Sequence, residues 1–105
     1  MSDRADSLDR LAGELLFEAR GLDVVADSLE PLLRQVRHAW QGPAAERLIS
    51  GLGDRQRELA SLAALLRSEA GRTFEEARRV RSAEAAVRAT IATDLVSPDP
   101  SPVRW

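Results

Sequence analysis

Few side chains in this 105-residue chain are of types that do covalent chemistry. His38 is the only histidine and cysteine is absent, so one chain can build neither a His/Cys metal cluster nor a Cys/His dyad. His38 is expected to be solvated beside a turn. Carboxylates are plentiful, and Glu14 with Glu18, or Glu75 with Glu76, could in principle share a proton. Solvated helix faces account for them more simply. Gly51 and Gly53 precede no lysine and follow no strand, which leaves no phosphate-cradling loop. Arg72, Arg78, Arg79, Arg81 and Arg88 gather positive charge, but Glu75, Glu76 and Glu84 sit among them without interleaved aromatics. That pattern, with a formal charge of -2 and a pI near 5.4, argues against nucleic acid as a partner. The expectation is a protein that is not an enzyme and holds neither cofactor nor metal.

The elements that would carry these residues are helical. At 11.5 kDa the chain allows one small domain with little room for a large private core, and its 44% hydrophobic and 30% charged content suits amphipathic helices better than disorder. In the first half Leu8, Leu15, Leu22, Leu29 and Val36 recur every seven residues, with Leu11, Val25 and Leu32 three residues after members of that series. This is an a/d seam. Ala12, Ala19, Ala26, Leu33 and Trp40 hold the adjoining position, which makes the apolar face wide enough to meet more than one neighbouring helix. Pro31 falls inside the pattern and predicts a kink near residues 27–31, within one helix because the heptads continue through it.

Gly42 and Pro43 punctuate the middle of the chain, since proline suits a first helical position and disfavours helix at the residue before it. Beyond them Ala45, Leu48, Ile49, Leu52, Leu59, Leu62, Leu66 and Ala70 line one face. Gly51 and Gly53 mark either tolerated weakness and close packing, or a break capped by Asp54. The expected architecture is all-α: an antiparallel two-helix hairpin with helix one at about 6–39, a turn at 40–42 and helix two at about 43–94, dimerising into a four-helix bundle. Antiparallel pairing would set Leu8 opposite residue 75 and leave the rest of helix two overhanging, with Val80, Ala83, Val87 and Ile91 as a weak stripe that docks elsewhere or frays. Residues 95–105, rich in proline, read as a disordered tail. The polar, acidic start lacks the features of a secretory signal, and the longest apolar run, Leu62 to Leu66, is too short to span a bilayer. No membrane insertion is expected.

Two helices of this length joined by Trp40-Gln41-Gly42, with Ala44 and Ala45 after the glycine and an apolar residue at Leu48, resemble the Trp-x-Gly family of hundred-residue type VII secretion substrates. The resemblance covers residues 5 to about 94. It implies pairing with itself or with another Trp-x-Gly hairpin, and a turn, Trp40, Gly42 and Pro43, that also belongs to a surface read by a partner or by the export machinery. The oligomer interface would comprise Leu8, Leu15, Leu22, Leu29, Leu33, Val36, Leu48, Leu52, Leu59, Leu62 and Leu66. Similar proteins are exported by a membrane ATPase, often guided by Tyr-x-x-x-Asp/Glu after the second helix. Here tyrosine is absent and Thr90-Ile91-Ala92-Thr93-Asp94 keeps only the acid. Val80, Val87, Thr90, Ile91 and Asp94 are thus the candidates for export or partner docking. The resemblance implies a chain that is cytoplasmic before export and secreted without a cleaved signal peptide. Alternatively, the chain stays in the cytosol as an adaptor or chaperone subunit for a larger toxin or effector.

Overall fold

A computed structural model of the chain describes residues 3–96. They form two antiparallel helices, α1 (Asp3–Ala39) and α2 (Pro43–Val96), and no strand occurs among the described residues. This is the all-α hairpin that the heptads and the central turn predict. Helix α1 starts a few residues ahead of the expected position 6, with Asp3 and Asp6 in its first turn where carboxylates favour the helix dipole. At the other end α2 runs on through Leu95 and Val96, which the sequence assigned to the tail. Proline restricts only the residue before it, so Pro98 leaves Val96 free to be helical. The remainder of the expected tail, 97–105, lies outside the described residues.

The turn is built from three residues. The Trp40 amide donates to the Val36 carbonyl at 2.9 Å and closes α1, and the Glu46 amide donates to the Gly42 carbonyl at 3.0 Å to open α2. Gly42 has φ of +108°, a conformation that side-chain-bearing residues rarely adopt, and Pro43 follows as the first helical residue.

Both interruptions foreseen in the helices are absorbed without a break. Helix α1 continues through Pro31, which sits on its exposed side, so the Asp27 carbonyl deprived of a helical donor lies where water can reach it. Helix α2 continues through Gly51 and Gly53. A methyl group at Gly51 would meet nothing within 4 Å and one at Gly53 only the tip of Arg57 at 3.7 Å, which decides for tolerated weakness over close packing or a capped restart.

The helices meet along a seam of buried alanines flanked by half-buried leucines. The buried residues are Ala5, Ala12, Ala19, Ala26 and Leu33 on α1, and Ala45, Ala63, Ala70 and Ala77 on α2. The α1 set recurs every seven residues, as does Ala63, Ala70 and Ala77. Gln56, one heptad before Ala63, donates through Nε2 to the Ala26 carbonyl at 3.1 Å and so fixes the alignment. Counting outward from that pair along antiparallel helices brings Ala19 level with Ala63, Ala12 with Ala70, and Ala5 with Ala77. Methyl groups facing methyl groups let the helix axes approach to roughly 8 Å, the close end of the usual range. Leu8 then falls level with residue 74, one position from expectation.

Candidate functional site

The alanine seam divides the hairpin into two unlike sides. On α1 the residues three after each seam alanine are Leu8, Leu15, Leu22, Leu29 and, after Leu33, Val36; the residues just before the next seam position include Leu11, Val25 and Leu32. In an antiparallel pair the equivalent positions of both helices project to the same side. On α2 these are Leu52, Leu59 and Leu66, with Leu48 and Leu62. The first five α1 residues and the three leucines Leu52, Leu59 and Leu66 are half-buried, flanking the seam. The outer ones are open: Leu11 is 46% exposed, Val25 49%, Leu62 45%. The result is one apolar face, two helices wide and roughly 40 Å long at 1.5 Å per residue.

The opposite side carries the residues four after each seam position, and it is ion-paired. Arg67 of α2 donates to Asp23 of α1, and Arg81 donates to Asp9 at 2.7 Å and to Asp6 at 2.8 Å. Between those pairs the same series holds Leu16 on α1 and Phe74 on α2, both half-buried. Gln56 also donates to Glu30 at 3.3 Å. The bonds to Asp9, then to Asp6, push the Arg81 guanidinium above its already high ordinary pKa, so it stays charged under any working condition. On the apolar side the one cross-helix ion pair is Arg4 with Glu76 at 3.6 Å, at the open end of the hairpin, among the described residues.

Ten of the eleven residues assigned to an oligomer interface lie on the apolar face. The exception is Leu33, only 3% exposed, which is consumed inside the hairpin because it continues the alanine series, not the leucine series. Trp40 belongs to that same series, one heptad later, but the seam has ended there. Trp40 is 48% exposed, so a large part of the residue stays open at the end of the hairpin. The docking candidates fall on distal α2: Val80 is half-buried near the start of α1, Val87 and Ile91 are 57% and 52% exposed, and Thr90 and Asp94 are exposed.

What sequence reasoning missed is the division of labour between alanines and leucines. The seven-residue recurrence of alanine was visible, yet the leucines dominate any hydropathy pattern and drew the seam toward themselves. Chemically the arrangement offers surfaces and little else. Among the described residues there is no group of three or more His, Cys, Asp or Glu that could hold a metal ion, and no helix is long and apolar enough to cross a membrane. His38 is exposed beside the turn. Comparison with known protein families, curated proteins and solved structures gives no match for this chain. The functional reading therefore rests on its own residues.

Proposed function

We propose that the protein is a pairing module whose leucine face takes a second helical hairpin to complete a four-helix bundle. In this reading it is a small substrate or pairing partner of a type VII, Trp-x-Gly-type secretion system and has no enzymatic role. The observation that carries the proposal is the leucine face; Phe17, Val24 and Leu65, 69%, 63% and 63% exposed, are further open apolar residues. Soluble monomers rarely leave a continuous stripe of this length open, and its two-helix width approaches the ~800 Å² per partner that stable interfaces bury. Energetics point the same way, because eight of the nine buried residues are alanines and no large side chain is fully buried. A methyl group contributes only about 0.8 kcal/mol, and the flanking leucines are only half-buried, so a second hairpin over them would add apolar burial that the isolated hairpin lacks.

The secretion part leans on the resemblance: Trp-x-Gly stands at the reversal, Gly42 adopts the positive φ that a glycine there permits, and a large part of Trp40 is left for a partner. One observation favours the second reading, a non-exported adaptor or chaperone subunit for a toxin. The chain has no tyrosine, so Thr90 to Asp94 lacks the ring of the export element seen in similar proteins. Two measurements decide. Mass determination of the purified chain, alone and mixed with the product of the adjacent reading frame, should give an assembly with one stoichiometry; a monomer in both mixtures refutes pairing. Appearance in culture supernatant only when the secretion ATPase is intact supports export, and retention in both strains leaves the adaptor.

A further inference from the structure

Phe17 belongs neither to the seam nor to the leucine face. It lies two residues from Leu15 and two from Ala19, about 160° around α1 from each, so it points away from both. No large apolar residue of α1 is more exposed, at 69%, and Val24 follows one heptad later on the same strip.

On a helix surface the neighbours of position 17 are the residues three and four away: Gly13, Glu14, Arg20 and Gly21, all exposed. Glycine is the poorest helix former after proline, yet a methyl at Gly13 or Gly21 would meet nothing within 4 Å, so packing inside the hairpin asks for neither. Nor do Glu14 and Arg20 make an ion pair among the described residues. Gly13 and Arg20 stand on one flank of Phe17, Glu14 and Gly21 on the other. Turning a second copy of α1 end over end to face the first at Phe17 exchanges both the ends and the flanks. Gly13 then meets Gly21 of the second copy and Glu14 meets its Arg20, each contact occurring twice. Parallel pairing would set Gly13 against Glu14 and Arg20 against Gly21, with no ion pair.

We infer that this outer strip of α1, from Arg10 to Val24, is a self-association surface that takes the same strip of a second copy, antiparallel and centred on Phe17. The two rings pack at the centre, beside backbone that the four glycines leave open, and two ion pairs of Glu14 with Arg20 close the flanks. The same reversal lays the aliphatic stem of Arg10 over Val24 of the other copy. Being one helix wide, the contact falls short of the ~800 Å² per partner of a stable interface. It is therefore weaker than pairing through the leucine face, and it joins one leucine-face assembly to the next through a separate surface.

The test is sedimentation equilibrium of the full chain, carried above the concentration at which the leucine-face assembly is complete. The mass of the unaltered chain should rise further, while that of Phe17→Ser stays at the leucine-face value with the same helix content. Glu14→Arg and Arg20→Glu each turn both ion pairs into repulsion and should weaken this second step about tenfold, the swing expected for two exposed pairs. Mixing those two variants restores opposite charges at both pairs and should recover the step. Gly13→Gln combined with Gly21→Gln should abolish it while raising the melting temperature, because each replaces a glycine in an exposed stretch of helix. A second step that Phe17→Ser leaves intact, or a mixture that associates no more tightly than either charge variant alone, overturns the inference. A mass that never exceeds the leucine-face value also overturns it and leaves the leucine-face reading untouched. Loss of all association in Phe17→Ser would place Phe17 in the primary interface, which again overturns it.

Discussion

Gly42 and Trp40 share one turn but are held there by different physics. At Gly42 the constraint is torsional, since an added methyl would meet nothing within 4 Å while φ of +108° strains any residue with a side chain. Gly42→Ala should cost about 1–2 kcal/mol, and with it several degrees of melting temperature. Gly71 provides the contrast: it is exposed, helical and equally free of neighbours, so Gly71→Ala should stabilise by up to about 1 kcal/mol. Thermal melts of the two variants should move in opposite directions, and a shift of the same sign would contradict this account of the turn. Trp40 is a packing question. A fully buried tryptophan costs roughly 3–5 kcal/mol to truncate, but one left 48% exposed should cost the hairpin nearer to about 2. Denaturant unfolding of Trp40→Ala checks that figure, and a loss as large as for a core residue would mean that the ring is covered in solution.

At the scale of the helices, the alanine ladder sets the spacing and the leucines flank it. Overfilling the ladder should therefore hurt more than hydrophobicity scales suggest. Ala12→Leu or Ala70→Leu, both at positions essentially closed to solvent, should destabilise by about 1–3 kcal/mol although each adds apolar surface. Unchanged or raised melting temperatures would show that the helices are not held this close. The two leucine environments separate in the same way. Leu33→Asp buries an unpaired carboxylate in the hairpin and should unfold it at every concentration, whereas Leu22→Asp, on the half-buried flank, should weaken association so that helix content and assembly recover together as concentration rises. Circular dichroism with sedimentation distinguishes these outcomes. How far the elements were legible in sequence follows from the same physics. Heptads and turn residues announced the hairpin and its alignment to within a residue. The internal seam was harder to read, because leucine outweighs alanine in apolar area while alanine permits the closer approach. Pro31 was expected to lie within one continuous, kinked helix, and α1 is continuous through it, with the lost hydrogen bond on the wet side. The exposed ion pairs were not foreseen individually, since spacing within one helix does not say which charge of the other it will meet. Each contributes at most about 1 kcal/mol, and their larger effect is to fix alignment and keep one side polar.

The whole molecule is a two-helix slab, one layer thick, with a greasy side, a charged side and a projecting end. Its seam of alanines removes little apolar area from water, and a folded chain of this size ordinarily needs more. In the proposed pairing reading association supplies the remainder, and folding coupled to association would make stability depend on concentration. The most direct test is sedimentation equilibrium of the purified full chain over a wide concentration range, with a thermal melt at each point. The account predicts that cooperative melting appears only where the chain is associated, at twice its 11.5 kDa mass or in complex with a second hairpin, and that the midpoint rises with concentration. A monodisperse 11.5 kDa monomer melting cooperatively at one temperature throughout would contradict it.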